Sequence, residues 1–437
     1  PLEVTRQLAA DLTAARAGAS EGRPARPATE PLEGTIQAAR LSGADVAIAR
    51  FPGAAEPELF RRYRGGAWRW TGDVGGPGCP RIPEAARGLW GLATTCPART
   101  SVVANAAGAG LDADASPLHG IGMWVWEVPR SGGAAGIIDR ARRYGIRTVY
   151  VKSGDGIHYW RQFDRSVRRL QAAGLEVCGW LYARGRRPVA EARVAARAIT
   201  RGADCFVVNA EVEFERMGVG RSSKAQRTAR AYMAELRRVA GHRVPIGFTS
   251  FAYVDVHARF PYSAFLSGAD AADVNMPQVY WGAFRHGVAT AMRRTAQWNA
   301  IYGVPVAPIG GTYEREKPAD LRRFRCLAAG YGWAGVSYWS LQHTSARQWP
   351  AVGNARACAT PAPAAREYPE LRPGRRGDHV LWLQERLRVW GYPVVRDGDY
   401  GARTRTAVQA FQRDRGLRAS GVTTPVTWAL LLERPGT

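Results

Sequence analysis

Residues 176–184 read EVCGWLYAR and residues 205–213 read CFVVNAEVE, and these two segments decide the fold. Both are rich in β-branched and aromatic residues, which favours strands, and the residues between them follow a helical pattern. A strand, a helix and a second strand in this order form a right-handed βαβ unit, whose strands lie parallel in one sheet. The same unit recurs through the middle region of the chain.

The alternation of strand and helix extends over residues 119–350. Eight such units over about 230 residues match the count and length of a (β/α)8 barrel. A doubly wound open sheet is the alternative, but no glycine-rich nucleotide-binding fingerprint follows the first strand. We therefore predict an α/β fold with a TIM-like barrel. Its strands are expected at 120–128, 147–153, 176–184, 205–213, 244–252, 274–281, 304–312 and 335–342.

The fourth strand carries the candidate catalytic residues. In this fold the active site lies at the C-terminal ends of the strands. The period of two places Asn209, Glu211 and Glu213 on the face directed at the barrel axis. Burying carboxylates without a purpose is costly, so we predict that these three residues form the catalytic site. The alternative is a structural ion pair with Lys152 of the second strand.

Aromatic and polar side chains at the ends of other strands would surround this site. Flat apolar rings suit a sugar-binding cleft, because the faces of pyranose rings stack on them. The predicted substrate-binding residues are Trp126, Asp155, Tyr182, Gln278, Tyr280 and Trp339.

The formal net charge of +24 and the pI near 10.6 favour a polyanionic partner. No zinc knuckle, basic helix or recognition motif supports nucleic acid as this partner. No run of apolar residues is long enough for a transmembrane helix. No spacing of His, Cys, Asp or Glu is typical of a metal site, and we expect neither a metal nor a cofactor.

Six cysteines allow disulfides. The segment around the first two is rich in Gly and Pro and lacks a clear core, and the last two flank the final predicted strand. We predict the bridges Cys79–Cys96 and Cys326–Cys358, which would indicate an oxidising, extracytoplasmic environment. Cys178 and Cys205 fall inside neighbouring predicted strands, where buried free thiols are expected.

Residues 371–433 contain three short amphipathic helices. The first ends at Gly391, the second follows the turn DGDYG at 397–401, and the third begins at TTP, 423–425. This ordered run resembles the peptidoglycan-binding domain found at the ends of many cell-wall hydrolases. The resemblance implies a three-helix all-α domain with peptidoglycan as its partner. It also implies that anionic cell-wall polymers fit the positive net charge better than nucleic acid does. Its candidate wall-binding residues are Trp390, Tyr392 and Tyr400.

The barrel has a looser resemblance. The strand endings NAEVEFE (209–215), MPQVYW (276–281) and GVSYWS (335–340) are similar to a broad superfamily of barrel glycosidases that includes family 25 lysozymes. That family has Asp-x-Glu on strand four, where this chain has Asn209-Ala-Glu211. It also has an Asp on strand one, where this chain has Gly122. The lysozyme site is therefore not copied unchanged.

An Asn-x-Glu pair also occurs in endo-β-N-acetylglucosaminidases of another barrel family, where the acetamido group of the substrate is the nucleophile. By that resemblance Glu211 is the acid/base, Asn209 positions the acetamide, and Glu213 supports them. A pairing of Glu211 and Glu213 as acid and nucleophile stays open, because it depends on the separation of their carboxyl groups.

The predicted function is that of a wall-anchored peptidoglycan glycan hydrolase, of the muramidase or glucosaminidase type, located outside the cell or at the wall. The alternative is an inactive barrel that serves as a wall-binding adhesin or as a structural part of a phage tail-like particle. Apart from a helix at Leu8, Ala9, Leu12 and Ala15, the N-terminal region has no clear pattern, and docking to a larger assembly is one role for it. The predicted domains are 1–117 of unknown role, the barrel 118–358, an Ala/Pro linker 359–369 and the wall-binding domain 370–437.

Overall fold

The structure is a computed structural model of the chain. It divides into two compact units, Pro1–Ala106 with Val408–Ser420 and Glu433–Thr437, and Ala107–Ala407 with Gly421–Leu432. The described residues are 5–17, 30–31, 36–41, 44–49, 51, 58–62, 69–73, 118–220, 223–313, 316–333, 335–353, 358 and 368–433.

The first unit contains a helix and an antiparallel sheet. The helix α1 (Arg6–Ala17) agrees with the predicted one, and Leu8 and Leu12 on its apolar side are buried with Phe51 and Phe60. The sheet was not predicted, and its strands pair in chain order. They are β1 (Gln37–Leu41), β2 (Ala44–Ala49), β3 (Glu58–Arg62) and β4 (Arg69–Asp73).

The second unit contains the predicted barrel, and all eight of its strands are present. They pair in parallel, and a short antiparallel strand β7 (His158–Tyr159) extends the second one. They are β5 (Gly120–Val125), β6 (Thr148–Asp155), β8 (Glu176–Ala183), β9 (Cys205–Ala210), β10 (Ile246–Thr249), β11 with β12 (Val274–Asn275 and Gln278–Val279), β13 (Ile309–Gly311) and β14 (Gly335–Trp339).

The predicted sixth strand closes the ring. Pro277, which has no N–H to donate, separates its two halves β11 and β12. The first half pairs with β10 and the second with β13. Parallel bridges from Phe251 to Gln278 and from Asn275 to Val306 complete the closure. The TIM-like barrel is therefore confirmed.

Helices surround the barrel, and the longer ones bury an apolar stripe as the spacing predicts. In α2, for example, Ile137 and Ala141 are buried, and the helix ends at Gly145, whose φ of 65° suits glycine. These helices are α2 (Gly133–Tyr144), α3 (Gln162–Gln171), α4 (Pro188–Thr200), α5 (Val212–Met217), α6 (Lys224–Ala240), α7 (Tyr262–Leu266), α8 (Val288–Asn299), α9 (Pro318–Gly330) and α10 (Trp349–Gly353).

The barrel axis is filled by large side chains, among them Trp124, Tyr150, Trp180 and Met276. Gly122 is required here, because a Cβ at this position would lie 2.4 Å from the ring of Tyr150. The ring of Tyr150 thus lies where a side chain of residue 122 would begin. An acidic side chain at residue 122 would therefore clash with this ring.

The three C-terminal helices are confirmed as α11 (Asp378–Val389), α12 (Ala402–Asp414) and α13 (Pro425–Leu432). The DGDYG turn is held by Gln384 of α11. Its Oε1 accepts hydrogen bonds from the backbone N–H groups of Asp397 and Gly398, and its Nε2 donates to Thr404 Oγ1. One buried amide therefore joins the first helix, the turn and the second helix.

Two disulfides lie among the described residues. Cys326–Cys358 confirms the prediction. The prediction of free thiols at Cys178 and Cys205 is wrong, because these residues form a disulfide with a Cα–Cα distance of 4.5 Å. They are directly opposite one another in β8 and β9, so their side chains meet. The predicted bridge Cys79–Cys96 lies outside the described residues.

Among the helices of the described residues, none is both long and apolar enough to cross a membrane.

Candidate functional site

Strand β9 is shorter than predicted, and this changes the placement of Glu213. The strand ends at Ala210, and Glu211 is the first residue beyond it. The chain then turns into α5, with the N–H of Phe214 donating to the carbonyl of Glu211 over 3.0 Å. Glu213 thus lies in the first turn of a helix, and Asn209 alone of the three predicted catalytic residues lies within β9.

Glu211 is partly buried at the C-terminal end of β9. The amide nitrogen Nε2 of Gln278 donates to Glu211 Oε1 over 2.9 Å and lies 3.4 Å from Asn209 Oδ1. Burial raises the pKa of Glu211, hydrogen bonds from Gln278 and Asn209 oppose the shift, and the charge of Glu213 adds to it. Since the net direction is upward, Glu211 keeps its proton at a higher pH than an ordinary glutamate, as a general acid must.

Glu213 and Asp155 belong to a separate ionic network that centres on Arg184. Tyr182 donates its hydroxyl to Glu213 Oε2 over 2.7 Å, and Arg184 Nη1 lies 3.4 Å from Glu213 Oε1. Arg184 Nε donates to Asp155 Oδ1 over 2.6 Å. Lys152 Nζ lies 3.2 Å from Asp155 Oδ2, so the lysine pairs with Asp155 and not with the acids that follow strand four.

The charges of this network follow from its contacts. Partial burial acts to raise the pKa of Asp155, but the hydrogen bond from Arg184 and the charge of Lys152 outweigh it and lower the pKa. For Lys152, desolvation is the largest effect and lowers the pKa. The pKa of Glu211 is therefore raised and that of Asp155 lowered. Opposite shifts of this kind assign the role of acid to one carboxyl group and that of anion to the other.

An aromatic surface lies beside the carboxylates. Trp126 is 37% exposed, and its ring centroid lies 5.8 Å from that of Trp339. Beneath them Trp180 contacts Trp339 edge to face at 5.4 Å. Lys152 Nζ lies 4.5 Å from the ring of Trp160 and 5.0 Å from that of Trp180. An exposed indole with further rings behind it is the kind of surface on which a sugar ring stacks.

The structure brings most predicted residues into two groups. Glu211, Asn209 and Gln278 form the first, and Glu213, Tyr182 and Asp155 the second. Burial raises the pKa of Tyr280, and the charge of the nearby Glu211 raises it further. Sequence reasoning missed Arg184 and Trp160. Arg184 is the last residue of the predicted third strand, and Trp160 follows the predicted second strand, so both lie toward the strand ends where this fold places its sites.

The predicted wall-binding residues differ in accessibility. Tyr400 is completely buried, and its hydroxyl donates to the carbonyl of Gly421 over 2.9 Å, so it supports the fold and cannot touch a polymer directly. Trp390 is partly exposed, and its Nε1 donates to the carbonyl of Leu431 over 3.0 Å. Tyr392 is also partly exposed.

Within the described ranges, no group of three or more His, Cys, Asp or Glu side chains is arranged to hold a metal ion.

Residues 376–431 match the family model described as "Putative peptidoglycan binding domain". The C-terminal part of the chain is therefore a peptidoglycan-binding domain. A zinc D-Ala-D-Ala carboxypeptidase of Streptomyces albus G is 33% identical over 119 residues, or 26% of this chain and 44% of that protein. The chain thus matches less than half the length of that relative.

The solved structures that the chain resembles are more distant. A GH18 chitinase from Pseudoalteromonas aurantia is 12% identical with a TM-score of 0.40, over 53% of this chain and 97% of that one. The spore cortex-lytic enzyme of Bacillus megaterium QM B1551 is 9% identical with a TM-score of 0.37, over 54% and 73%. Likenesses of this size say nothing about activity.

Proposed function

We propose that the chain is a cell-wall glycan hydrolase in which Glu211 protonates the leaving oxygen of a glycosidic bond. The proposal rests on the environment of the Glu211 carboxyl group. It is partly buried at the C-terminal end of a barrel strand, has a raised pKa, and shares Gln278 with Asn209. A carboxylic acid that keeps its proton to a higher pH than an ordinary glutamate suits the general acid of glycosidic cleavage.

The second group in the reaction is the 2-acetamido oxygen of the substrate. In this scheme it attacks the anomeric carbon while Glu211 gives its proton to the departing oxygen. Glu211 then takes a proton from the water that opens the cyclic intermediate. Asn209 Oδ1 can accept a hydrogen bond from the acetamide N–H in addition to the one from Gln278. Glu213 is bound by Tyr182 and Arg184, which argues against a role for it as nucleophile.

The peptidoglycan-binding domain supports peptidoglycan as the substrate. Such a domain keeps the barrel at high local concentration near the wall. The sugars of peptidoglycan carry the acetamido group that the mechanism requires. We accordingly place the protein at the cell wall, with peptidoglycan and its anionic polymers as partners.

Digestion of purified peptidoglycan tests the proposal. We expect soluble fragments with new reducing ends, identified by mass spectrometry after borohydride reduction. N-acetylglucosamine at these ends would indicate the glucosaminidase type, and N-acetylmuramic acid the muramidase type. Fragments without new reducing ends, or no fragments at all, would contradict hydrolysis of the glycan, and the inactive wall-binding barrel would become the better account.

A further inference from the structure

The outer layer of the barrel has only a short helix after β10. The helix that follows this strand, α7, has only five residues, too few to cover the flank of the sheet. Helix α11 of the peptidoglycan-binding domain packs against α7. Trp382 of α11 is buried, and its Nε1 donates to the carbonyl of Ile301 over 2.6 Å. Helix α11 thus covers the flank that a longer α7 would cover in a regular barrel.

Asp378, the first residue of α11, lies at the centre of this contact and is 0% exposed. Its Oδ1 accepts hydrogen bonds from Ser263 Oγ over 2.7 Å and from Gln226 Nε2 over 3.3 Å. Its Oδ2 accepts from Ser263 N over 2.8 Å and from Tyr302 Oη over 2.9 Å. All four donors belong to the barrel, so the carboxyl group is fully satisfied only when the two parts are together.

The neighbouring contacts extend the same interface. The backbone N–H of Asp378 donates to the carbonyl of Ala258 over 2.7 Å. His379 is buried with its ring edge on Trp298, and burial lowers its pKa to about 4, so the ring is neutral and acts as a packing surface. Arg230 and Glu385 add a partly exposed ion pair at 3.3 Å, a minor contribution.

We propose that Asp378 locks helix α11 of the peptidoglycan-binding domain onto the barrel, so that this helix and the barrel open together and α11 is not part of a flexible tether. Separation would remove all four hydrogen bonds to the Asp378 carboxyl group. The side chains of Ser263, Gln226 and Tyr302 would lose their acceptor at the same time. Separation would also expose the apolar surfaces of Trp382 and Trp298.

Hydrogen exchange of the full-length chain tests the lock. In wild type we expect the amides of α7 and α11 to exchange slowly and at similar rates, because they open together. Asp378→Ala should accelerate both helices on the order of tenfold or more, while the amides of β8 and β9 stay unchanged. Acceleration of α11 alone, or of neither helix, would overturn the proposal.

Two further variants make this result specific. Tyr302→Phe removes one of the four donors and keeps the ring, so it should accelerate α7 and α11 together but less than Asp378→Ala. Asp399→Ala is the matched control, because Asp399 lies in the same domain and its carboxylate pairs with the exposed Arg376. It should leave the exchange of α7 unchanged. An equal effect of the control and Asp378→Ala on α7 would contradict the lock.

The consequence for catalysis rests on the proposed function. Asp378→Ala should slow the digestion of insoluble walls more than the hydrolysis of soluble glycan oligomers, since only walls engage both parts at once. If the wild-type chain releases no sugar ends, the proposed function fails, while the exchange experiment still decides whether the lock exists.

Discussion

Glu211 keeps its proton to a higher pH than an ordinary glutamate, because burial and the charge of Glu213 both disfavour its ionised form. The hydrogen bond from Gln278 acts in the opposite direction. Substitution of Glu213 and substitution of Gln278 are therefore expected to shift the pH dependence of hydrolysis in opposite directions.

The alkaline limb of kcat/KM should report the loss of the Glu211 proton. Glu213→Gln removes a negative charge, so the pKa of Glu211 falls and the limb moves to lower pH. Gln278→Leu removes a donor to the carboxylate, so the pKa rises and the limb moves to higher pH. A pH–rate profile of each variant on soluble glycan checks this. Shifts in the same direction would show that another group controls the limb.

At the scale of residues, the periodicity of the sequence predicts which side chains share a face but not which charged side chains pair. Asn209 and Glu211 share a strand face by periodicity alone, and the structure brings them to one amide of Gln278. Arg184 was missed although it ends the predicted third strand, because periodicity does not show that Asp155 and Glu213 both approach its guanidinium. The partner of Lys152 was missed because a register shift between Lys152 and Gly154 breaks the alternation of β6 before Asp155.

At the scale of elements, two regions depart from the expected pattern. The alternation of strand four continues in the sequence to Glu213, but Phe214 is completely buried and packs on Phe260 and Phe265, which accompanies the turn into a helix at Val212. Tertiary packing overrides the local period here. The N-terminal sheet was overlooked because its strands are short. Leu41 pairs with Ala44 in its first hairpin. The Ser-Gly sequence between these two residues is the one hairpin signal that the sequence gives.

The disulfides are predicted at the same scale. Non-reducing peptide mapping of the unfolded chain should recover the pairs Cys178–Cys205 and Cys326–Cys358. Each closes a loop of a few tens of residues, so reduction should cost roughly 3–4 kcal/mol of stability per bridge in the chain-entropy model. Free thiols at Cys178 and Cys205 in protein kept from reductants would contradict the first pair. Cys79–Cys96 stays a prediction that the same map decides.

At the scale of the whole molecule, the sequence indicates the parts better than their arrangement. The barrel follows from eight repeats of one unit, and the peptidoglycan-binding domain from an ordered set of turns and helices. The Ala/Pro-rich residues 359–369 suggest a tether, yet the residues after them place Asp378 inside the barrel surface. Contacts between segments far apart in the chain produce no periodic pattern in the sequence. The contact of Asp378 with the barrel was therefore not predicted.

The central claim is that the chain cuts the wall glycan with the proton of Glu211 while its C-terminal domain holds the wall. Glu211→Gln tests it most directly, because the change keeps the size of the side chain and removes the acid. Reducing ends released from purified peptidoglycan are counted for wild type and variant, and binding to the same walls is measured by sedimentation near physiological salt. Glu213→Gln serves as the matched control, since Glu213 is bound by Arg184 and Tyr182.

We predict that Glu211→Gln lowers the rate of release by about 10²–10⁴-fold, the usual cost of losing a general acid, and leaves binding unchanged. Glu213→Gln should lower the rate much less. Equal release by wild type and Glu211→Gln, or no release by either, would contradict the account.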